Sequence, residues 1–151
     1  MSSYITGESD IRVLYRQLID AWNARGSGNF AELFEMDGNV IGFDGSQING
    51  RAAIEQEMAR IFNEHQTATY LTIVKEVRLL TPVTGVLRAV AGMVPPGQSD
   101  IDPEVNAVQT LVAVRHSSGW RIALFQNTPA QFHGRPELVK AMTDELRQLI
   151  K

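Results

Sequence analysis

The feature that most constrains the fold is a change in hydrophobic period after residue 65. Before this point apolar residues recur every three or four positions, as they do along one side of an α-helix; after it they alternate with polar residues, as they do in β-strands. The first part predicts three helices, from Ile11 to Gly26, after Ser27 or Asn29, and from about Arg51 to His65. Helices followed by strands predict an α+β fold.

The second part predicts a mostly antiparallel sheet and a last helix. Two short extended pieces, at residues 39–43 and around Gln47 and Ile48, precede four longer strands at 69–80, 86–94, 105–115 and 120–127. Ser117 and Ser118 suit a two-residue turn that joins the last two strands. Pro136 suits the first turn of a C-terminal helix.

Both faces of the last hairpin are apolar. With the two-residue turn, one face carries Val108, Thr110, Val112, Ala123, Phe125 and Asn127, and the other carries Leu111, Ala113, Trp120, Ile122 and Leu124. An antiparallel sheet normally leaves one face to solvent, so two apolar faces both require a cover. The helices cover one face, and the other needs a partner, the C-terminal helix, or both. We predict a homodimer packed through the sheet.

A curved sheet closed on its concave side by helices makes a cone that usually encloses an apolar pocket. The expected lining of this pocket is Trp22, Phe34, Phe62, Thr110, Phe125 and Asn127. The alternative is that the aromatic residues fill a core and leave no cavity, since aromatic stripes at helical spacing usually do so.

The composition bounds the partners. A chain of 151 residues with 44% apolar residues fits a single domain spanning residues 1–151. The net charge of -3, without runs of like charge, argues against a nucleic-acid partner. No apolar stretch is long enough to span a membrane, and the polar start MSSYITGESD does not resemble a secretory signal, so we expect a cytoplasmic protein.

Five short segments, in order along the chain, resemble the SgcJ/EcaC-type family of the nuclear transport factor 2-like (SnoaL-like, ketosteroid-isomerase-like) superfamily. They are AWNA at 21–24, FAELF at 30–34, GRAAI at 50–54, WRIALFQNT at 120–128 and FHGRP at 132–136. The resemblance implies a cone-shaped barrel, with N-terminal helices packed on the concave face of a curved, mostly antiparallel sheet and a C-terminal helix. Members similar to SgcJ are associated with natural-product biosynthesis, and the superfamily contains both enzymes and non-catalytic modules.

The mechanism of ketosteroid isomerase does not carry over to this chain. That mechanism needs an aspartate base, a tyrosine and a protonated aspartate. Alignment on AWN and FAELF places Leu18 at the tyrosine and Gly42 at the base, and the second aspartate falls close to Thr110.

Two polar residues are candidates for catalysis. Asp44 could act as a general base near the mouth of the pocket, although Asp-Gly is also a common turn in which the aspartate bonds its own backbone. Asn127 could donate a hydrogen bond to a carbonyl or oxyanion, or it could satisfy backbone groups where its strand ends. His65 and His133 lack metal-ligand spacing, so no metal is expected, and no cofactor motif is present.

The leading hypothesis is a protein that binds a hydrophobic or polyketide-like small molecule. Such a protein could also be a cofactor-free isomerase, dehydratase or cyclase. The alternative is a non-catalytic oligomerising or accessory module whose apolar surfaces contact other proteins. An open cavity favours the first hypothesis and a filled cone favours the second.

Overall fold

The structure, a computed structural model, describes residues 3–150, with side chains from residue 6 onward. Met1, Ser2 and Lys151, which belong to the predicted single domain, lie outside the described residues. The elements in chain order are α1 Ser3–Asn23, α2 Ser27–Ala31, β1 Phe34–Ile41, β2 Gln47–Asn49, α3 Arg51–Glu64, β3 Thr69–Thr81, β4 Thr84–Val94, a 3₁₀ turn Pro103–Val105, β5 Ala107–His116, β6 Gly119–Pro129 and α4 Pro136–Arg147.

The six strands form one mixed sheet in the order β2-β1-β6-β5-β4-β3. All neighbouring pairs are antiparallel except β1 and β6, which run parallel. The sheet is curved and does not close on itself. The α+β architecture, with N-terminal helices on the concave side, a mostly antiparallel sheet and a C-terminal helix, confirms the predicted fold class.

The main core lies between the helices and the concave face of the sheet. Ile11 and Leu18 on α1, Ile54 on α3, and Leu87 and Leu111 on the sheet are all fully buried there. The helical period of α1 and α3 and the alternation of β4 and β5 therefore supply the two halves of one core.

A smaller core lies on the convex face, where α4 packs. Leu146 of α4 contacts Val90 of β4 and Ile101 of the preceding loop, and all three are buried. This helix packs against β3 and β4. Val112 and Leu124, in the middle of the same face, are only half-buried, so α4 covers one end of the face.

The second helix is shorter than its apolar spacing indicates. Phe30, Leu33 and Phe34 have the spacing of one apolar side of a helix, but α2 ends at Ala31 and Phe34 begins β1. The sheet decides this boundary, because Phe34 pairs with Ile122 of β6 and the Leu33 carbonyl accepts the Ile122 amide at 2.9 Å. Arg51, at the start of α3, also donates to the Phe34 carbonyl from Nε at 2.9 Å and Nη2 at 2.6 Å.

The last hairpin contains a β-bulge that the sequence did not reveal. His116 pairs with Gly119 across the predicted two-residue turn. Beyond Ala113–Ile122 the next pair is Val112–Leu124, so β6 has one extra residue at Ala123. A bulge of this kind exchanges the faces of all residues beyond it on one strand relative to the other.

Candidate functional site

An open cavity of about 930 Å³ lies between the concave face of the sheet, α1, α3 and the β1–β2 hairpin. Its walls are mainly apolar and are formed by Leu18, Ile19, Trp22, Phe30, Val40, Ile48, Met58, Ile61, Met93 and Phe125. Exposed residues of the β1–β2 turn, including Asp44 and Ser46, also line the cavity and mark its mouth. The cone is therefore not filled by its own side chains.

The structure brings four of the predicted site residues to this cavity. Trp22, Phe125 and Asn127 lie in its walls, and Asp44 lies at its mouth. Asn127 is only 6% exposed, so it is a buried polar group in an otherwise apolar wall.

Phe34 and Phe62 belong to the core, contrary to the prediction that they line the pocket. Phe34 is fully buried and packs against Phe30, with 5.6 Å between ring centroids. The Phe62 ring meets the Trp22 ring edge-on, with 5.3 Å between centroids, and the Arg25 guanidinium carbon lies 5.6 Å from the centroid of the Phe62 ring. Both phenylalanines support cavity residues without facing the cavity.

The prediction that Thr110 shares a face with Phe125 and Asn127 is wrong. Because of the bulge at Ala123, Thr110 pairs with Gln126, whereas Leu111 pairs with Phe125 and Gln109 pairs with Asn127. Thr110 therefore lies on the convex face of the sheet. Gln109 takes its place on the concave face and is fully buried there.

Four buried side chains form a hydrogen-bonded chain along the concave face. The Tyr15 hydroxyl of α1 donates to Gln109 Oε1 at 2.5 Å. Gln109 Nε2 donates to Asn127 Oδ1 at 3.2 Å, and Asn127 Nδ2 donates to the Tyr70 hydroxyl oxygen at 3.0 Å. We call these four residues the polar chain; its last member, Tyr70, lines the cavity.

The end of α1 fixes the position of Tyr70. Asn23 Oδ1 accepts the Tyr70 backbone amide at 2.9 Å, and Asn23 Nδ2 donates to the Tyr70 carbonyl at 3.1 Å. Trp22 donates from Nε1 to the Ala68 carbonyl at 2.9 Å, and its ring lies 5.3 Å from that of Tyr70. The AWN segment thus holds the start of β3 against α1.

Burial determines the ionisation of the two tyrosines. It raises the pKa of Tyr70 to about 12, with partial compensation by the hydrogen bond from Asn127. Burial also raises the pKa of Tyr15 well above its usual value. Both hydroxyls therefore remain protonated and can donate hydrogen bonds at neutral pH.

Asp44 adopts the turn conformation that was the alternative to a catalytic role. Its carboxylate accepts the Ser46 amide at 2.9 Å, and Gly45, which follows it, has a φ of +90°. The hydrogen bond from the Ser46 backbone holds the pKa of the exposed Asp44 carboxyl below its usual value. This environment weakens Asp44 as a proton acceptor.

Two further findings concern the part of the chain that the structure describes. It contains no group of three or more histidine, aspartate or glutamate side chains placed to hold a metal ion. Among its helices, none has the length and apolar character needed to cross a membrane.

Tyr15, Tyr70 and Gln109 were not identified from the sequence. Gln109 interrupts the apolar run of β5, and a lone amide in such a run is a signal that a buried polar partner exists. The identity of the partners could not be read in this way, because Tyr15 lies 94 residues from Gln109 in the chain.

Comparison with solved structures shows similarity over most of the chain. A domain of unknown function with a cystatin-like fold from Nostoc punctiforme is 26% identical, with a TM-score of 0.80 over 90% of this chain and 85% of that one. A ketosteroid isomerase-like protein from Erwinia carotovora atroseptica is 13% identical, with a TM-score of 0.66 over 82% and 96% of the two chains. An NTF-2 like protein of unknown function from Shewanella oneidensis is 15% identical, with a TM-score of 0.66 over 80% and 97%.

No protein-family model and no curated protein matches the sequence. The structural similarity alone therefore places the chain among known folds. Together with the curved six-stranded sheet, the helices on its concave side and α4, it shows that this chain has the cystatin-like, nuclear transport factor 2-like fold.

Proposed function

We propose that the protein binds a hydrophobic small molecule in the cavity between α1, α3 and the concave face of the sheet. The observation that carries this proposal is the open volume of about 930 Å³ with mainly apolar walls and a few buried polar groups. Pockets for cofactors and small ligands have about this size and composition. A ring compound, including a polyketide-like one, suits these walls.

Binding is better supported than proton-transfer catalysis. The described carboxylates that line the cavity are Asp44 and Glu57, and both have a pKa held below the usual value. The backbone of Ser46 has this effect on Asp44, and the side chain of Arg60 has it on Glu57. A general base works best when its pKa lies near the ambient pH. An isomerase, dehydratase or cyclase activity through Asp44 therefore remains the less supported extension.

A blocking substitution tests the binding proposal. Ala53 lines the cavity from α3, whereas its neighbour Ala52 is exposed and lies outside it. We expect Ala53→Phe to reduce binding of an environment-sensitive apolar dye and of any metabolite that co-purifies, as measured by fluorescence and native mass spectrometry. Ala52→Phe is the matched control and should bind as the unsubstituted protein does. Equal binding by both variants would show that the ligand lies elsewhere.

A turnover assay beside the binding assay decides the catalytic extension once a ligand is known. Asp44→Asn keeps an oxygen that can accept the Ser46 amide, so it preserves the turn while it removes the charge. Unchanged turnover in this variant would exclude Asp44 as the base. A large loss of turnover with unchanged ligand affinity would support it.

A homodimer packed through the convex face is our second proposal, and it would also suit an oligomerising or accessory role. The supporting observation is that α4 covers only one end of this face, while Val108 is 36% exposed and Val86, Val112 and Leu124 are half-buried. A second copy could cover these residues. Light scattering should show a dimer. Val112→Arg, on the convex face, should dissociate this dimer, whereas the control Val13→Arg, on the exposed surface of α1, should not. A monomer at all concentrations would contradict the proposal.

A further inference from the structure

The polar chain has a direction, and it ends in the cavity. Each member donates to the next one toward Tyr70: the Tyr15 hydroxyl to Gln109, the Gln109 amide to Asn127, and the Asn127 amide to Tyr70. The Tyr70 hydroxyl oxygen is thus an acceptor within the chain. Among the described residues, no hydrogen bond takes up the proton of this hydroxyl.

Tyr70 is nevertheless a buried group. Its side chain is 7% exposed, and it lies in the cavity wall beside Met93, Phe125 and Trp22. Solvent that enters the open cavity can accept this proton, but a ligand that displaces the solvent leaves the proton without an acceptor, which costs free energy. An acceptor atom brought by a ligand would remove this cost, whereas a purely apolar ligand would not.

We propose that the Tyr70 hydroxyl is the donor with which the cavity selects its ligand, a hydrophobic ring compound that carries a carbonyl or phenolate oxygen. This inference rests on the proposed binding function and names the ligand class for the same cavity. Asn127 is then a positioning residue: it directs the Tyr70 proton toward the ligand by occupying the other side of the hydroxyl oxygen.

Three features suit Tyr70 to this role. The two hydrogen bonds that its backbone makes with the Asn23 side chain fix that backbone, so the hydroxyl is held in place before a ligand arrives. Hydrogen bonds that run in one direction polarise one another, so the three donations upstream strengthen the Tyr70 O–H as a donor. Burial keeps the Tyr70 hydroxyl protonated at neutral pH.

A pair of probes of equal shape tests the inference. Fluorenone and fluorene are planar tricyclic compounds that differ by one carbonyl oxygen. The unsubstituted protein should bind fluorenone about 3- to 10-fold more tightly than fluorene, which is the effect of one net hydrogen bond. Tyr70→Phe should abolish this preference by weakening fluorenone binding, with fluorene binding retained. Isothermal titration calorimetry measures both affinities.

Two further variants separate positioning from packing. Tyr15→Phe also removes a hydroxyl oxygen, but at the far end of the polar chain, so it weakens only the polarisation of the Tyr70 O–H bond. The preference for fluorenone over fluorene should therefore fall less than about twofold. Asn127→Leu keeps the side-chain volume but releases the Tyr70 hydroxyl, so the preference should fall more than in Tyr15→Phe, with fluorene binding again retained. Loss of binding of both compounds to the same extent in Asn127→Leu would indicate a role in packing and contradict the positioning role.

The carbonyl stretch of bound fluorenone gives a second, spectroscopic measurement of the same hydrogen bond. A hydrogen bond from Tyr70 lowers the stretching frequency relative to fluorenone in a hydrocarbon solvent, and the shift should disappear in Tyr70→Phe. Equal affinity for both probes with an unshifted stretch would overturn this inference while leaving the binding proposal intact. Binding of neither probe, together with failure of Ala53→Phe to affect dye binding, would overturn both.

Discussion

Replacement of Gln109 by an apolar residue of equal volume should lower the free energy of unfolding, because the Gln109 side chain is hydrogen-bonded to two other buried polar side chains. Gln109→Leu keeps the volume but leaves the Tyr15 hydroxyl without its acceptor and Asn127 Oδ1 without its donor. Each buried group that loses its partner costs about 1–3 kcal/mol, so the expected loss of unfolding free energy is about 2–6 kcal/mol. Urea denaturation followed by tryptophan fluorescence measures this loss.

The double variant gives the sharper test. Tyr15→Phe alone leaves Gln109 Oε1 without a donor and should destabilise the native protein by about 1–3 kcal/mol. In the Gln109→Leu background Tyr15→Phe no longer removes a donor from Gln109, and the Tyr15 hydroxyl keeps its hydrogen bond with the Thr72 side chain, so the cost should fall to about 1 kcal/mol or less. The size of the effect of Tyr15→Phe therefore depends on whether Gln109 is present.

A double-mutant cycle expresses this dependence as a coupling free energy. As a control, Lys140→Ala, on an exposed position of α4, should add to Gln109→Leu within about 0.5 kcal/mol. The urea m-value should be the same in all variants, which shows that the extent of unfolding has not changed. Additive costs for Tyr15→Phe and Gln109→Leu would refute the hydrogen-bonded chain as we describe it.

Two other predictions concern packing and pH. Gly85→Ala should lower the unfolding free energy by about 1–3 kcal/mol, since an added Cβ would lie 2.4 Å from Ile11 Cδ1 and 2.9 Å from Leu79 Cδ2. The control is Gly28→Ala, in which the nearest neighbour of the added Cβ would be at 3.9 Å. Equal losses of unfolding free energy in the two variants would contradict the reasoning. Stability should also fall as the pH rises from about 10 to about 12, because the folded chain retains the Tyr70 proton up to about pH 12 while the unfolded chain releases it near pH 10. Tyr70→Phe should reduce this slope by at most about 1.4 kcal/mol per pH unit, as measured by urea titrations across this range, and an unchanged slope would show that Tyr70 titrates normally.

Much of the architecture could be predicted because it depends on local periodicity. The helix predicted from about Arg51 to His65 is found at Arg51–Glu64, and the turn at Ser117 and Ser118 is found as predicted. The strands predicted at 69–80 and 86–94 are found as β3 and β4, where Glu76 of one forms an ion pair with Arg88 of the other at 2.9 Å. In each case the residues whose spacing predicts the element are the same residues that form it.

The parts that were missed depend on distant contacts. Phe34 has the spacing of a helical residue, yet pairing with Ile122 of β6 places it in a strand. The bulge at Ala123 leaves no mark in composition or period, so Thr110 rather than Gln109 was assigned to the cavity. Asn127 was identified as a polar group in the pocket, but its partners Gln109 and Tyr70 became evident only when the strands were placed side by side.

The extra residue in β6 has a consequence for comparing this chain with related sequences. Suppose that a relative lacks the bulge. If its sequence is aligned with this one without a gap beside Ala123, the β6 residues on one side of the bulge are matched with residues of the relative that point to the opposite face of the sheet. A role transferred by alignment column would then fall on the convex surface, for example on Gln126 instead of Asn127. Insertion or loss of a single residue at this point is thus a route by which relatives with the same fold could present different side chains to the same cavity.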